Sequence, residues 1–302
     1  MKGRATFSSD GAAGAYSSTM PATPLGPVPG LGYADAVSTH PLIRLSDDTT
    51  ARGESAVAEE IPVAVVYNGD PFVVVMASPA DFEDFAVGFS LTEGIVGDRS
   101  DITGIEIVRH SRGIELQIRI AEGAASRIAA RRRGISARSG CGVCGIESID
   151  EVLRAPHRVT TDAVFDAGAM WRAAAELESR QPINAETRAV HAAAFADHAG
   201  ALQIVREDVG RHNALDKVIG SMIREERRGS DGFLVVTSRA SYELVQKAAV
   251  AGVPVLAAVS RPTSLAIQLA GQANIALVGL LRGRSAYVYS HPERFGLNPS
   301  LR

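Results

Sequence analysis

Alternating apolar and polar residues mark the first structured part of the chain. Two runs rich in β-forming residues, Ile61–Tyr67 and residues 72–76, flank the turn sequence Asn-Gly-Asp at 68–70, which is typical of a tight hairpin. Residues 103–110 and 114–120 keep the same two-residue period on either side of a Ser-Arg-Gly turn. The pattern therefore predicts two antiparallel hairpins.

A helical period separates the two hairpins. Phe82, Phe85 and Phe89 recur at the spacing that places them on one face of a helix. Ser78 followed by proline is a typical helix start, and Gly94 is a typical helix end. We therefore expect a small α+β region over residues 39–135. Residues 1–38 before it are rich in Gly, Ala, Ser, Thr and Pro, which predicts a disordered tail.

From about residue 189 the pattern changes to strands that alternate with helices. This alternation is typical of a layered α/β domain with a largely parallel sheet, and we assign that domain to residues 136–302, with the cysteine loop at its start. The predicted strands are 190–195, 201–205, 233–237, 253–259, 275–281 and 286–289. The predicted helices are 124–133, 146–153, 166–179, 213–226, 242–251 and 263–272.

The composition narrows the classes of function. With 46% hydrophobic residues and a net charge of -3, the chain looks globular and has no electrostatic basis for nucleic-acid binding. It shows neither an apolar run of the ~20 residues that span a membrane nor a secretion signal, which predicts a cytoplasmic protein. Only three of its 31 basic side chains are lysines, so 28 are arginines. Arginine suits phosphate recognition because it binds two oxygens at once.

Both cysteines, Cys141 and Cys144, lie in the segment RSGCGVCG at 138–145. In a cytoplasmic protein this CxxC spacing is more often redox-active, metal-binding or sulfur-carrying than structural. Nearby positive charge from Arg138 and the arginines at 131–133 favours the thiolate, which is the nucleophilic form. An inert turn is the simplest alternative. Because the only two cysteines are paired and bracketed by glycine, we predict that both are catalytic.

Four arginine-bearing segments follow predicted strands, at 206–213, 238–241, 260–264 and 282–285. Ligands of open α/β sheets bind beyond the carboxyl ends of the strands. Three of the four segments also begin a helix, whose free N–H groups favour an anion. Helix capping would explain one such segment, whereas four at one edge predict a phosphate-rich ligand such as a nucleotide. The candidate ligand-binding residues here are Arg211, His212, Ser238, Arg239, Ser241, Thr263 and Ser264.

Two histidines lie near these segments. His212 stands among charged residues at a helix start, which favours a role in the site, whereas His191 on an apolar strand is better explained as a structural residue. Together with Cys141 and Cys144 they would make four zinc ligands. No second CxxC and no HxxxH spacing supports zinc, so we predict no metal site.

Taken together, these motifs resemble the FdhD family of formate dehydrogenase accessory sulfurtransferases. The similarity runs in family order from about residue 40 to 295, and its most specific piece is the run REDVGRHN at 206–213. The remaining matching segments are 88–94, 139–145, 191–193, 214–217, 238–243, 262–266 and 282–289. Two positions depart from the family pattern: Arg188 replaces a usual glycine, and Leu280-Leu281 replaces a usual aromatic-containing pair.

The resemblance implies a cytidine-deaminase-like layered core after a smaller N-terminal α+β region, and a homodimer. It implies a sulfurtransferase in which Cys141 carries a persulfide received from a cysteine desulfurase. The acceptor would be the molybdenum bis-guanine-dinucleotide cofactor of formate dehydrogenase. The guanine nucleotide of that cofactor would bind at Leu280, Leu281, Arg282, Gly283, Arg284 and Ser285.

Two rival functions fit parts of the sequence. A dithiol oxidoreductase would use the same CxxC, but it is expected on a thioredoxin-like strand–loop–helix, which the glycine-bracketed pair fits poorly. A non-catalytic chaperone for the molybdenum cofactor would need the arginine segments and no cysteine. Deaminase chemistry is not predicted, because His191 is followed by two alanines instead of the His-x-Glu signature of zinc deaminases.

Overall fold

The computed structural model describes residues 30–32, 35–47, 49–124, 128 and 157–298. In this part of the chain the strands form a two-stranded hairpin, a four-stranded sheet and a six-stranded sheet. The architecture is therefore mixed α/β, as predicted. No helix in the described ranges is both long and apolar enough to cross a bilayer. The predicted helix at 146–153 and most of that at 124–133 lie outside the described residues.

The first two strands form a hairpin that the sequence pattern did not predict. β1 (Val37–Ser46) pairs with β2 (Thr49–Ala58) in antiparallel register, so the last two residues assigned to the tail already belong to a strand. The base of the hairpin packs through Ala36 against Ile183. Its far end is exposed, with Leu45 at 78% exposure. In the described part of the chain, the hairpin is thus packed at its base and exposed at its far end.

The four-stranded sheet confirms both predicted hairpins. Its strands are β3 (Ile61–Tyr67), β4 (Asp70–Ala77), β5 (Ile102–His110) and β6 (Gly113–Ile120), in the order β4-β3-β6-β5. Asn68 and Gly69 between β3 and β4 have φ of 49° and 87°, the two positive values that a tight hairpin turn requires. The sheet is mixed because β3 and β6 are parallel.

The predicted helix after β4 is α1 (Phe82–Thr92), but its start differs from the prediction. The N-cap position belongs to Asp81, whose φ is 57°, and not to Ser78. Ser78 is instead fully buried, where its N–H donates to Asp208 and its hydroxyl accepts from Val209 N. The serine joins two parts of the chain, and a local capping pattern cannot show this.

The six-stranded sheet has the order β12-β11-β10-β9-β7-β8. β9, β10 and β11 pair in parallel, and β8 runs in the same direction although it pairs with β7, so the prediction of a largely parallel sheet holds for four of the six strands. β7 runs antiparallel to both of its neighbours, and β12 is antiparallel to β11. The bounds are β7 (His191–Asp197), β8 (Leu202–Asp208), β9 (Gly232–Val236), β10 (Val255–Ala258), β11 (Ala276–Arg282) and β12 (Ser285–Val288).

Helices cover both faces of this sheet. One face packs against α4, α5 and α6, which contribute Leu215, Leu244 and Leu269 to a single apolar core. The other face packs against α2 through Met170 and Leu177. The bounds are α2 (Ala167–Ser179), α3 (Pro182–Thr187), α4 (Arg211–Arg224), α5 (Tyr242–Val250) and α6 (Ser264–Ala273), with 3-10 turns at Arg99–Asp101, Gly229–Asp231 and Pro292–Phe295. The short helix α3 was not predicted.

α1 and α4 cross in backbone contact and join the two larger sheets. A β-carbon on Gly88 of α1 would overlap the backbone carbonyl of Asp216 in α4, and one on Gly220 would overlap the carbonyl of Asp84. Glycine is therefore required on both sides of the crossing. Beside it, Asp216 forms a buried ion pair with Lys247 of α5 at 2.9 Å. The seam fixes the N-terminal α+β region against the helix that begins at the carboxyl edge of the six-stranded sheet.

Candidate functional site

The predicted ligand segments lie along one edge of the six-stranded sheet. Val259 N donates to Val236 O at 3.0 Å, and Leu280 N donates to Ser260 O at 3.0 Å, so the ends of β9, β10 and β11 are level. Because β7 runs in the opposite direction, its first residue, His191, meets the last residue of β8, Asp208. The topology therefore brings all four segments and His191 to the same edge, which we call the carboxyl edge.

Much of the run at 206–217 is structural. Asp208 accepts hydrogen bonds from Gly210 N at 2.7 Å and Asn213 Nδ2 at 3.0 Å. Its second oxygen lies 2.7 Å from Lys217 Nζ, and both side chains have no exposed surface. Lys217 also donates to the carbonyl of Ser78 at 3.3 Å. This buried pair holds the β8–α4 turn in place against the N-terminal region.

Glu207 and Arg206 have similar scaffolding roles. The Glu207 carboxylate accepts from Ile183 N at 2.9 Å and Asn184 N at 2.8 Å, so it caps the first turn of α3. Burial raises the pKa of Glu207 in spite of these donors. Arg206 binds the buried carboxylate of Asp84 at 2.7 Å. These side chains explain why the run is so specific without making them ligand-binding residues.

Two helix starts at the edge keep free donors. α4 begins after Gly210 and α5 after Ser241, and neither has a side-chain capping bond. Arg211 Nε and Ser241 Oγ are buried atoms for which the described residues supply no hydrogen-bond partner. Buried polar atoms are normally paired, so unpaired ones at two helix N-termini are typical of a site that receives an anion.

His212 and Glu243 connect the two helix starts. His212 Nε2 lies 2.7 Å from Glu243 Oε2, and both side chains are about a quarter exposed, at 26% each. Burial acts to raise the pKa of Glu243, but the hydrogen bond and charge of His212 outweigh it and leave this pKa below its ordinary value. The ionised carboxylate thus fixes the orientation of the imidazole beside Arg211 and Ser241.

His191 stands among these cations. Burial lowers its pKa, and the charges of Arg211, His212 and Arg239 lower it further, while Asp208 acts in the opposite direction. The ring is therefore biased toward the neutral form as long as no anion is bound. The segment that contains Arg239 begins next to the start of β7, because Thr237, directly after β9, exchanges hydrogen bonds with Ala192.

The other predicted ligand residues are placed less favourably. The Ser238 hydroxyl donates to the carbonyl of Arg239 at 3.1 Å, and the Thr263 hydroxyl accepts from Ala266 N at 3.3 Å as the N-cap of α6. Ser264, next to it, is exposed at the start of the helix. The hydroxyls of Ser238 and Thr263 thus already have hydrogen-bond partners, and a ligand would be an additional partner for each of them.

The segment at 280–285 forms the turn from β11 to β12. Leu281 is 1% exposed and packs in the apolar core, whereas Arg282, Gly283, Arg284 and Ser285 are exposed. Leu280 has a φ of 53°, an uncommon backbone state for a non-glycine residue. Such strain is often found at functional sites. The two exposed arginines lie at the end of the turn and extend the positive edge.

Arg188, the other departure from the family pattern, also has a left-handed backbone, with a φ of 53° at the C-cap of α3. The position keeps the conformation that glycine adopts at least cost. Cys141 and Cys144 lie outside the described residues, so their predicted role stays a prediction.

Two features of the carboxyl edge were not predicted from the sequence. Glu243 lies in one of the segments that match the family, but it was not predicted to be a site residue. Nothing near it in the sequence indicates a partner 31 positions away. The Asp208–Lys217 pair was assigned no role for a related reason: its burial depends on Ser78, which is contributed by the N-terminal region. Acidic residues in the first turn of a predicted helix are a weak signal that would have pointed to Glu243.

The fold and the edge define a class of protein. It is a mixed α/β protein whose sheet edge gathers three cationic or titratable side chains, Arg211, His212 and Arg239, and two helix N-termini with free donors. Helix N-termini with free donors are places where proteins commonly bind anions. The chain belongs to the FdhD/NarQ family, whose model matches residues 58–296.

Known relatives cover most of the chain. It is 52% identical over 252 residues to the sulfur carrier protein FdhD of Xanthomonas euvesicatoria, covering 83% of this chain and 90% of that one. It is 49% identical over 243 residues to the protein of the same name from Bordetella petrii, covering 80% and 87%. A crystal structure described as a putative formate dehydrogenase accessory protein from Desulfotalea psychrophila aligns with a TM-score of 0.69 at 24% identity, covering 86% of this chain and 99% of that one. That structural similarity shows the shared fold.

Proposed function

We propose that this chain is a sulfur carrier for formate dehydrogenase, which receives sulfur on Cys141 and passes it to a molybdenum bis-guanine-dinucleotide cofactor before insertion. The observation that carries the proposal is the match over most of the chain to relatives named sulfur carrier proteins. The cationic carboxyl edge supports it, because a guanine dinucleotide is rich in phosphate. Formate dehydrogenase is the expected client because the structural relative is described as an accessory protein of that enzyme.

Sulfur loading is a thiol exchange. The Cys141 thiolate attacks the outer sulfur of a persulfide on a cysteine desulfurase, the donor S–S bond breaks, and the donor cysteine leaves as a thiolate. Cys141 then holds the persulfide. Glycines flank both cysteines, and glycine is the residue type that restricts the backbone least, which suits a thiol that has to meet two different partners.

Delivery of sulfide requires two electrons. Cys144 can supply them by attacking the inner sulfur of the persulfide: a Cys141–Cys144 disulfide forms and sulfide leaves toward the metal of the substrate. A cytoplasmic thiol then reduces the disulfide. If Cys144 instead only adjusts the reactivity of Cys141, an outside thiol attacks the inner sulfur of the persulfide, sulfide leaves, and a second outside thiol reduces the resulting mixed disulfide to restore Cys141.

The carboxyl edge would hold the nucleotide ends of the cofactor. Arg211, Ser241 and the two helix N-termini offer donors to phosphate, and Arg282 and Arg284 extend the positive surface toward the guanine. Binding the cofactor by its nucleotides keeps the metal close to the persulfide. The transfer then becomes effectively unimolecular, which is the main advantage that positioning brings to a reaction.

The finer fold and assembly also belong to the proposal. The order β8-β7-β9-β10-β11, with helices on both faces of the sheet, supports a cytidine-deaminase-like core. We further propose a homodimer in the cytoplasm, as expected for a carrier that meets a desulfurase and an apoenzyme.

Intact-mass measurement tests the carrier function. After incubation with a cysteine desulfurase and cysteine, we expect the wild-type protein to gain one sulfur and Cys141→Ala to gain none. Ser139→Ala, which changes a neighbour without removing a thiol, is the matched control and should load normally. No sulfur gain by the wild type with several desulfurases would contradict the proposal.

The same variants separate the rival functions. If Cys141→Ala still activates formate dehydrogenase in cells, the chaperone function is correct. If the wild type exchanges disulfides with thioredoxin and gains no sulfur, the oxidoreductase function is correct. Cys144→Ala that loads sulfur but does not activate the enzyme would assign Cys144 to delivery.

A further inference from the structure

His191 has the most cationic surroundings of the partly buried groups at the carboxyl edge. Arg211 and His212 act on it from the start of α4, and Arg239 acts from the segment after β9. Asp208, paired with it across the β7–β8 ladder, is the negative group that acts on it. That carboxylate is already bound to Lys217, Gly210 and Asn213. Little counter-charge therefore remains for an additional proton.

The position of the ring is fixed by the backbone around it. The next residue, Ala192, donates to Thr237 Oγ1 at 2.9 Å and accepts from Thr237 N at 3.0 Å, which locks the start of β7 to the end of β9. His191 therefore stays level with the free donors of α4 and α5. An anion that reaches Arg211 and Ser241 from the edge would come within electrostatic range of this imidazole.

We propose that His191 contacts the bound anion and takes up a proton when the anion binds, so that a phosphate-bearing ligand is held more tightly as the pH falls toward 6. A bound anion would bring negative charge beside the ring and so stabilise the imidazolium. Binding and protonation are linked, so each must promote the other. This role rests on the nucleotide-binding edge proposed above.

The pair formed by His212 and Glu243 has a different role from His191. Glu243 lies 2.7 Å from His212 Nε2 and keeps that ring oriented, so His212 has a carboxylate partner of its own. Within the described residues, the carboxylate that acts on His191 is shared with Lys217 and two other donors. Because His212 has its own carboxylate partner whereas His191 shares one with other groups, we assign the ligand-dependent change of charge to His191.

Calorimetry with guanosine diphosphate tests the proposal. Titrations between pH 6 and 8.5, each in two buffers of different ionisation enthalpy, give the affinity and the number of protons taken up. For one linked proton the affinity falls by about tenfold for each pH unit between the pKa of the free histidine and the higher pKa of the bound one, and it becomes constant above the latter. The terminal phosphate itself titrates near pH 6, so the difference between wild type and variant is the quantity that decides.

His191→Asn should lose the proton uptake near neutral pH and bind with a flatter pH profile. His191→Lys, which stays charged, should bind with an equally flat profile and retain affinity at pH 8. The matched control is His198→Asn, because His198 lies just beyond the opposite end of the same strand, stacked on Phe165. This control should behave as the wild type. Melting curves confirm that each variant is folded.

Three results would overturn the role of His191. Equal proton uptake in wild type and His191→Asn would remove it, and uptake that disappears in His212→Asn instead would assign the proton to His212. If the wild type binds no guanosine diphosphate at any pH, both this role and the nucleotide-binding part of the proposed function are wrong. Sulfur loading of Cys141 would remain testable separately by mass.

Discussion

Lys217 shows how a residue in the most specific motif can be structural. Its ammonium group is buried without exposed surface, 2.7 Å from Asp208 and within hydrogen-bond distance of two carbonyl oxygens. Breaking one side of a buried pair leaves an unpaired charge in a poorly solvated place. We expect Lys217→Met to lower the free energy of unfolding by about 3–5 kcal/mol, measured by urea denaturation.

The matched control for Lys217 is the double variant Asp208→Asn with Lys217→Met. It removes both charges, so it should recover a large part of the lost stability. A single variant as stable as the wild type would show that the buried pair contributes little.

For single residues, the sequence predicted which residue types lie at the carboxyl edge, but it did not predict the role of each one. Arg206, Glu207 and Asp208 were predicted to lie at the site by their position after a strand, yet all three bind protein groups. The reason is physical: their partners, Asp84, α3 and Lys217, come from other parts of the chain. His212 was predicted correctly to be at the edge, whereas the carboxylate that orients it depends on tertiary packing.

Elements were predictable where a local signal decides them. The β3–β4 and β5–β6 hairpins follow from their turn residues, and the helix predicted at 166–179 is α2, which Asp166 caps by accepting from Gly168 N. The β1–β2 hairpin has no such period, and six-residue α3 is too short to show one. The antiparallel direction of β7 also cannot be read from apolar periodicity, since buried strands of either direction look alike.

The crossing of α1 and α4 gives a prediction about these two elements. Gly88→Ala should force the helices apart, because the new β-carbon would meet the backbone carbonyl of Asp216. We expect a loss of about 1–3 kcal/mol in the free energy of unfolding, the usual cost of overpacking. The measurement is again urea denaturation.

Gly271→Ala is the matched control for that substitution. Gly271 is a helical glycine in α6 with open space around its α-carbon, so alanine should stabilise by about 0.5–1 kcal/mol through helix propensity. Equal effects at the two glycines would show that backbone contact at the crossing is unimportant.

The distribution of charge matters at the scale of the whole molecule. The chain carries a net charge of -3, yet arginines and histidines gather at one sheet edge while buried acidic side chains such as Asp84 and Asp208 are neutralised by Arg206 and Lys217. A phosphate-bearing ligand is therefore attracted to one place on a protein that is negative as a whole. Binding at this edge should depend on salt, because exposed charges are screened more strongly than buried ones.

The difference between buried and exposed charges predicts different effects for substitutions of Arg211 and Arg284. Arg211→Gln removes a partly buried donor at a helix start, and we expect guanosine diphosphate affinity to fall by about 10- to 100-fold, as for a charged hydrogen bond of about 1.5–3 kcal/mol. Arg284→Gln removes an exposed charge, so the loss should be about two- to fivefold and should vanish at high salt. Calorimetry at two ionic strengths gives both values. If Arg284 mattered more than Arg211, the nucleotide phosphates would lie at the β11–β12 turn and not at the starts of α4 and α5.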